Sequence, residues 1–251
     1  MSVTPLAVMN PPEVWQPFIK ASHQGFIATE FLCAMGEVYR REFEGEHFEP
    51  PQTIVPIPAS LTGFDQAEAV TEKLSGFDLP SLFLPQQGWS GQCIGILGQD
   101  PLRRDSKENK WPSCLTCCNP WGLSDPRNRQ RRFGRMVWTV IEGILQRGHG
   151  VYLTDLEKIY VPGLTKSALL QAQERAVFRA EIAAVSPLLW VTFGQRAAAG
   201  ARAAIPGGQS LVSFPHPNAH GRYLQRHFNA VDGRHMTIAA LMLEALGPHL
   251  A

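Results

Sequence analysis

Apolar residues in this chain gather into short unbroken runs, separated by longer stretches with a helical repeat. Cys93-Ile94-Gly95-Ile96-Leu97-Gly98 is apolar throughout and stops abruptly at Gln99-Asp100-Pro101. Val151 to Leu156, Leu188 to Phe193 and Leu211 to Phe214 are runs of the same kind. Bounded by turn formers, such runs read as buried strands of a parallel sheet. Between them, Arg127 to Gln146 carries Phe133, Val137, Ile141 and Leu145 at four-residue intervals, which predicts a helix with one apolar stripe, ended by Gly148 and Gly150. Leu169 to Ala184 predicts a second amphipathic helix, and His235 to Leu246 a last one that closes the chain. Alternating strands and helices imply an α/β fold whose sheet is covered on both faces.

Upstream the pattern is less regular. Residues 13 to 49 place Phe18, Phe26, Phe31, Leu32, Met35 and Tyr39 at mixed helical spacing, with Glu37, Glu42, Glu44, Glu46 and Glu49 towards the end. They predict a helical segment packed across the sheet. Pro50 to Pro58 reads as extended and Leu61 to Leu74 as a further helix. With 251 residues and 44% hydrophobic composition, one domain over 1–251 is expected, residues 1–89 forming a helical and Pro-rich N-terminal part and 90–251 the core that carries the chemistry. Met1 to Pro12 has neither the charge pattern nor the apolar stretch of a signal peptide, and no run approaches the length of a membrane span. A cytoplasmic monomer with no membrane partner is expected.

Two strand ends carry the candidate chemistry. In parallel sheets ligands sit beyond the carboxyl ends of strands, where Gly98-Gln99-Asp100-Pro101 would emerge. Pro101 biases Asp100 away from helical dihedrals and holds its carboxylate on a stiff turn. Alone, this is equally the turn of an ordinary strand, its Asp capping the next segment. The run Leu211 to Phe214 breaks in the same manner into Pro215-His216-Pro217-Asn218-Ala219-His220-Gly221-Arg222, with His216 locked between two prolines.

Together these stretches resemble the two signature motifs of the uracil-DNA glycosylase superfamily. Val151-Tyr152-Leu153-Thr154-Asp155-Leu156 resembles the family's base-reading strand, and Leu188 to Gln195 the strand and Gly loop ahead of its histidine motif. The resemblance covers roughly residues 90 to 245. It implies a three-layer α/β/α fold around a central, mostly parallel four-stranded sheet, and a DNA glycosylase that flips a nucleotide out of the stack. Asp100 is then expected to orient water and stabilise positive charge on the sugar. His216 is expected to hydrogen-bond the base O2 and stabilise the departing anion. No metal or cofactor is implied, and no lysine is needed, so a monofunctional hydrolase leaving an abasic site is expected.

Two departures from the uracil-specific pattern bear on the substrate. Leu102 stands where the best-known branch has a Tyr that blocks substituents at pyrimidine C5. Asp155 stands where an Asn reads uracil: a carboxyl accepts from the cytosine amine, and when protonated by burial it also donates to N3. The expected base is therefore a 5-modified cytosine, hydroxymethylcytosine or its glucosylated form, of the kind found in bacteriophage DNA, which makes antiviral defence the expected role. A uracil or deaminated-base repair enzyme is the alternative. A catalytically silent nucleic-acid-binding relative is a third reading, and an unrelated nucleotide-binding α/β protein lacks its Gly-rich phosphate loop.

Other residues are expected to complete the site. Gln99 joins Leu102 and Asp155 around the base, and Trp121, in Asn119-Pro120-Trp121-Gly122, is expected to stack on it, with Trp111 as the alternative. The loop from Asn218 through His220 to Arg222 is the candidate for insertion into DNA. The family's wedge leucine corresponds to His220, with Tyr223 or Leu224 as substitutes. Gly194, Gln195, Ser60 and Ser124 are candidate phosphate contacts.

Net charge is +1, but residues 101 to 150 hold ten Arg and Lys against Asp105, Glu108, Asp125 and Glu142, an excess of six. That cluster, with Arg127 and Arg131 as candidate contacts, suits a DNA backbone, or else is a solvated basic helix. Among five cysteines, Cys114 and Cys117 have metal-ligand spacing, yet Cys33, Cys93 and Cys118 supply no matching second pair. Reduced structural thiols are expected.

Overall fold

The computed structural model describes residues 6–46, 55–57, 75–101, 115–160, 166–216 and 238–250. Its strands are β1 (Ala7–Met9), β2 (Val55–Ile57), β3 (Ser75–Asp78), β4 (Ser81–Pro85), β5 (Cys93–Gly98), β6 (Leu115–Cys118), β7 (Gly150–Asp155), β8 (Ile159–Tyr160), β9 (Leu189–Phe193) and β10 (Ser210–Phe214). Its helices are α1 (Pro12–Ser22), α2 (Thr29–Phe43), α3 (Pro126–Gln130), α4 (Arg132–Leu145), α5 (Ala168–Val185), α6 (Gln195–Ala204) and α7 (Ile238–Leu246). The fold is α/β with a mostly parallel central sheet.

That sheet runs β1-β4-β7-β5-β9-β10. Strands β7, β5, β9 and β10 are parallel, and they are the four apolar runs of the sequence. The expected four-stranded sheet is nonetheless six-stranded, because β4 pairs antiparallel with β7 and β1 with β4. Both added strands come from the N-terminal part. β1 is only three residues long and β4 is set between Pro80 and Pro85, so neither declares itself by pattern; each takes its conformation from the neighbour it pairs with. All six residues of β5 and of β7 are buried, as continuous apolar runs require.

Register decides what covers each face. Gly95, Tyr152 and Trp190 form one row across β5, β7 and β9. Trp190 fills the space above Gly95 and meets Phe178 of α5 edge-on at 5.5 Å. On the opposite face Phe83 packs against Trp138 of α4 at 5.5 Å, with Phe43 of α2 beside both. Helices thus lie on both sides. A second sheet, β2-β6-β3-β8, sends β6 directly into Asn119 and Trp121.

Strand order reverses around β5. From β5 the path goes to β7 on one side, then crosses to β9 and β10 on the other. Such a reversal opens a crevice at the strand's carboxyl end, the general ligand position in open α/β sheets.

Two predicted helices are each broken in two. Residues 13 to 49 split at His23 to Ala28, where Gly25 adopts a φ of +76°. Arg127 to Gln146 splits at Arg131, which is extended (φ −73°, ψ 151°) and begins α4. Tight packing accompanies this break: a side chain at Gly134 would run into the Asn128 carbonyl. Val137, Ile141 and Leu145 of the expected stripe are buried. Helix α5 agrees with prediction to one residue at each end, capped by Ser167, whose Oγ accepts from the Leu170 N–H at 3.1 Å. The expected helix over Leu61 to Leu74 lies outside the described residues, as do the first three residues of the closing helix. No helix among the described residues is long and apolar enough to cross a membrane.

Candidate active site

β5 ends at Gly98 and β10 at Phe214, and two residues past each end stand Asp100 and His216. They line one cleft of about 760 Å³, together with Gln99, Trp121, Arg131 and Asp155. Six residues singled out from sequence therefore share one cavity, at the crevice the topology opens. Gln99 donates from its side-chain amide to Asp100 Oδ2 at 2.6 Å, which steadies the acid.

His216 is half-buried. Burial pushes its imidazole below the usual value, and the nearby Asp100 charge partly restores it. At neutral pH the ring is neutral, with one N–H to donate. Behind it, Gly194 has a φ of +92°, and its N–H bonds the Phe214 carbonyl at 2.8 Å. A Cβ at Gly194 would sit in ordinary contact with His216, so it is the left-handed φ, and not crowding, that favours glycine here. Glycine there serves the histidine loop. Gly194 and Gln195 open onto an adjoining hollow of about 840 Å³ that also touches His216 and Arg202.

Asp155 closes β7 and is 4% exposed. Its carboxylate lies over Gly98, where a Cβ would run into Asp155 Oδ1 and come within 3.1 Å of the Trp121 ring. Only glycine leaves room for that arrangement. The Asp155 N–H donates to Asp78 Oδ2 at 3.0 Å, and the Thr154 hydroxyl to the same oxygen at 2.8 Å. Lys158, wholly buried, joins Asp78 at 2.9 Å to Glu181 at 2.7 Å. A buried ionic cluster thus braces the strand end that presents Asp155. Nothing in the sequence announced it, because Lys158 sits in the mixed run Leu156-Glu157-Lys158 and its two partners are far away in the chain.

Trp121 adopts a left-handed backbone (φ 55°, ψ 4°), followed by Gly122 at φ +62°. For a bulky residue this costs about 1–3 kcal/mol and persists only where the surroundings enforce it. Its ring meets Phe193 edge-on at 5.7 Å. An indole is thereby held above the end of β5, in the cleft.

Sequence reasoning missed part of the cleft lining, formed by Asn119, Asn128 and Phe133. Asn128 is tied to the Gly122 carbonyl at 3.0 Å. Asn119 is 2% exposed, and neither Oδ1 nor Nδ2 has a hydrogen-bond partner. Leaving a buried polar group unpaired costs about 1–3 kcal/mol. The sole sequence signal was its position just before Pro120-Trp121.

Other residues singled out from the sequence stand apart from the cleft or outside the described residues. Arg127 is exposed but turned onto Asp125 at 2.9 Å, and it lines neither cavity. Arg129 is partly buried, its guanidinium stacked on Phe43 at 4.3 Å and Trp138 at 5.2 Å. Ser124 is buried and donates to Glu42, so it faces no phosphate. Leu102, Asn218, His220, Arg222, Trp111, Cys114 and Ser60 lie outside the described residues. Cys33, Cys93 and Cys117 are free thiols, and no group of three or more His, Cys, Asp or Glu among the described residues is placed to hold a metal.

No protein-family model matches the chain, and no curated protein matches it in sequence.

Proposed function

We propose that this chain is a DNA glycosylase of the uracil-DNA glycosylase superfamily, hydrolysing the N-glycosidic bond of a flipped 5-modified cytosine. The observation that carries the reading is the meeting of Asp100, His216, Asp155 and Trp121 in one cleft.

Each group has a task in that reaction. As the bond from C1′ to the pyrimidine nitrogen breaks, positive charge grows on the sugar and negative charge on the base. An ionised Asp100 stabilises the first and orients the water that attacks C1′; a neutral His216 donates to O2 and stabilises the second. A neutral imidazole suits this role, and burial favours it. Trp121 covers a face of the base and Asp155 meets its N4 and N3 edge. Arg131 and the end of α6 at Gln195 lie beside the cleft as contacts for phosphates.

Oligonucleotides carrying uracil, 5-hydroxymethylcytosine or glucosylated hydroxymethylcytosine, incubated with the protein and then cleaved with alkali at abasic sites, test the proposal. Product only from the modified cytosines is expected. Product from uracil alone makes the chain a repair enzyme for deaminated bases, and binding without product makes it a silent relative.

A further inference from the structure

Asn119 has no role in the reaction just described, yet it is a buried, unpaired amide lining the same cleft. We infer that Asn119 is a specificity residue that hydrogen-bonds a hydroxyl of the substituent on C5 of the flipped cytosine. The inference rests on the glycosylase reading for the placement of the base, and its own support is independent of the catalytic pair.

Elimination over the edges of the ring gives the assignment. His216 takes O2, Asp155 takes N3 and N4, and Trp121 takes a face. What remains is the C5 side, next to N4 around the ring. On the cleft wall the amide side chains not yet used are Asn119 and Asn128, which line it together with Trp121 and Phe133. Neither end of Asn119 has a hydrogen-bond partner, so its buried carboxamide holds one unmet acceptor and two unmet donors. A hydroxyl both donates and accepts, and one amide satisfies both halves. An anionic substituent would leave the amide acceptor unmatched, and a methyl group would leave the whole amide as it stands now.

Space agrees with the chemistry. A cleft of about 760 Å³ is in the range that encloses a drug-sized molecule, well beyond a bare pyrimidine. Amides beside aromatic rings are suited to a hexose, whose C–H face lies on the ring while its hydroxyls meet the amides. The substrate class is thus cytosine with a hydroxylated C5 group, and the methylated base is rejected for want of a partner to Asn119.

The test measures affinity apart from turnover. Full-length protein carrying Asp100→Asn, so that bound oligonucleotide survives, is titrated with DNA containing 5-methylcytosine, 5-hydroxymethylcytosine or glucosylated hydroxymethylcytosine. At least about tenfold tighter binding of the hydroxylated bases is expected. Adding Asn119→Ala, or the bulkier Asn119→Leu, should bring that ratio close to one while leaving 5-methylcytosine affinity in place. Thermal unfolding of the free Asn119 variants supplies the second readout. Removing an amide that bonds nothing should leave Tm equal or higher, whereas a structural asparagine would lower it in both. Equal affinity for methylated and hydroxylated bases, an unchanged ratio in both variants, a uniform loss across all three bases or a lowered Tm in both variants each overturns the inference. Abasic product from the unmutated protein is scored separately. Selective binding without product sinks the reaction and keeps Asn119 as the hydroxyl reader; product without selectivity does the reverse.

Discussion

In the proposed reaction the choice of base turns on Asp155. Its carboxylate sits where only a glycine at position 98 leaves space, and its backbone is tied to Asp78 at 3.0 Å, so its orientation is set before any substrate arrives. In the proposed reaction, an acid there accepts from the cytosine amine, whereas an amide would serve uracil. Asp155→Asn is accordingly expected to raise kcat/KM for uracil relative to modified cytosine by about 10- to 100-fold, the worth of one well-formed pair of base contacts. Competition between the two oligonucleotides measures it, and an unchanged ratio contradicts the role. Asp100, Asp155 and His216 were legible because each follows an apolar run at a strand end, and Trp121 because it lies in a Pro-Trp-Gly turn. Asn119 was not, since a lone Asn before Pro is ordinary loop composition and its importance lies only in what fails to touch it.

Among elements, the join between β7 and α5 holds the most unusual physics. Lys158, Asp78 and Glu181 are all fully buried, with His23 3.6 Å from Glu181. Burial, opposed by the Lys158 charge, lifts the Glu181 carboxyl to about 7 from an ordinary value of 4.5. A carboxyl with a raised folded value keeps a proton that the unfolded chain has already lost. Its contribution to stability is complete below about pH 4.5 and disappears as pH rises through about 7. His23, pushed down by burial and by Lys158, has the opposite slope, its contribution being lost as pH falls. Denaturant unfolding of the parent and of Glu181→Gln separates them. The parent's stability relative to the variant should fall by on the order of 1–3 kcal/mol between about pH 5 and about pH 8. A difference independent of pH would show that Glu181 stays charged throughout. None of this could be read from the chain, because the charges come from three separate elements. Strands β5, β7 and β9, by contrast, were readable as unbroken apolar runs, while β1, β3 and β4 were too short or too rich in turn formers.

The whole molecule converts two distant stretches of sequence into one site by a simple device. Reversing strand order around β5 brings its carboxyl end beside that of β9 and β10 on one side and β7 on the other. Asp100, Asp155 and His216 then meet without any loop having to travel far. The alternation of runs and helices made the parallel core legible, but not the antiparallel edge that widens it, nor the second sheet that delivers Trp121. The local excess of positive charge was a weaker guide, since Arg127 is paired and Arg129 is stacked on Phe43. The proposed mechanism places an ionised carboxylate beneath the sugar of an extruded nucleotide, and single-turnover formation of abasic sites in hydroxymethylcytosine DNA measures its effect most directly. Asp100→Asn should slow that step by about 10²- to 10⁴-fold with DNA affinity retained. An unmutated protein that forms no abasic site in any DNA tested, or a variant as fast as its parent, would contradict it.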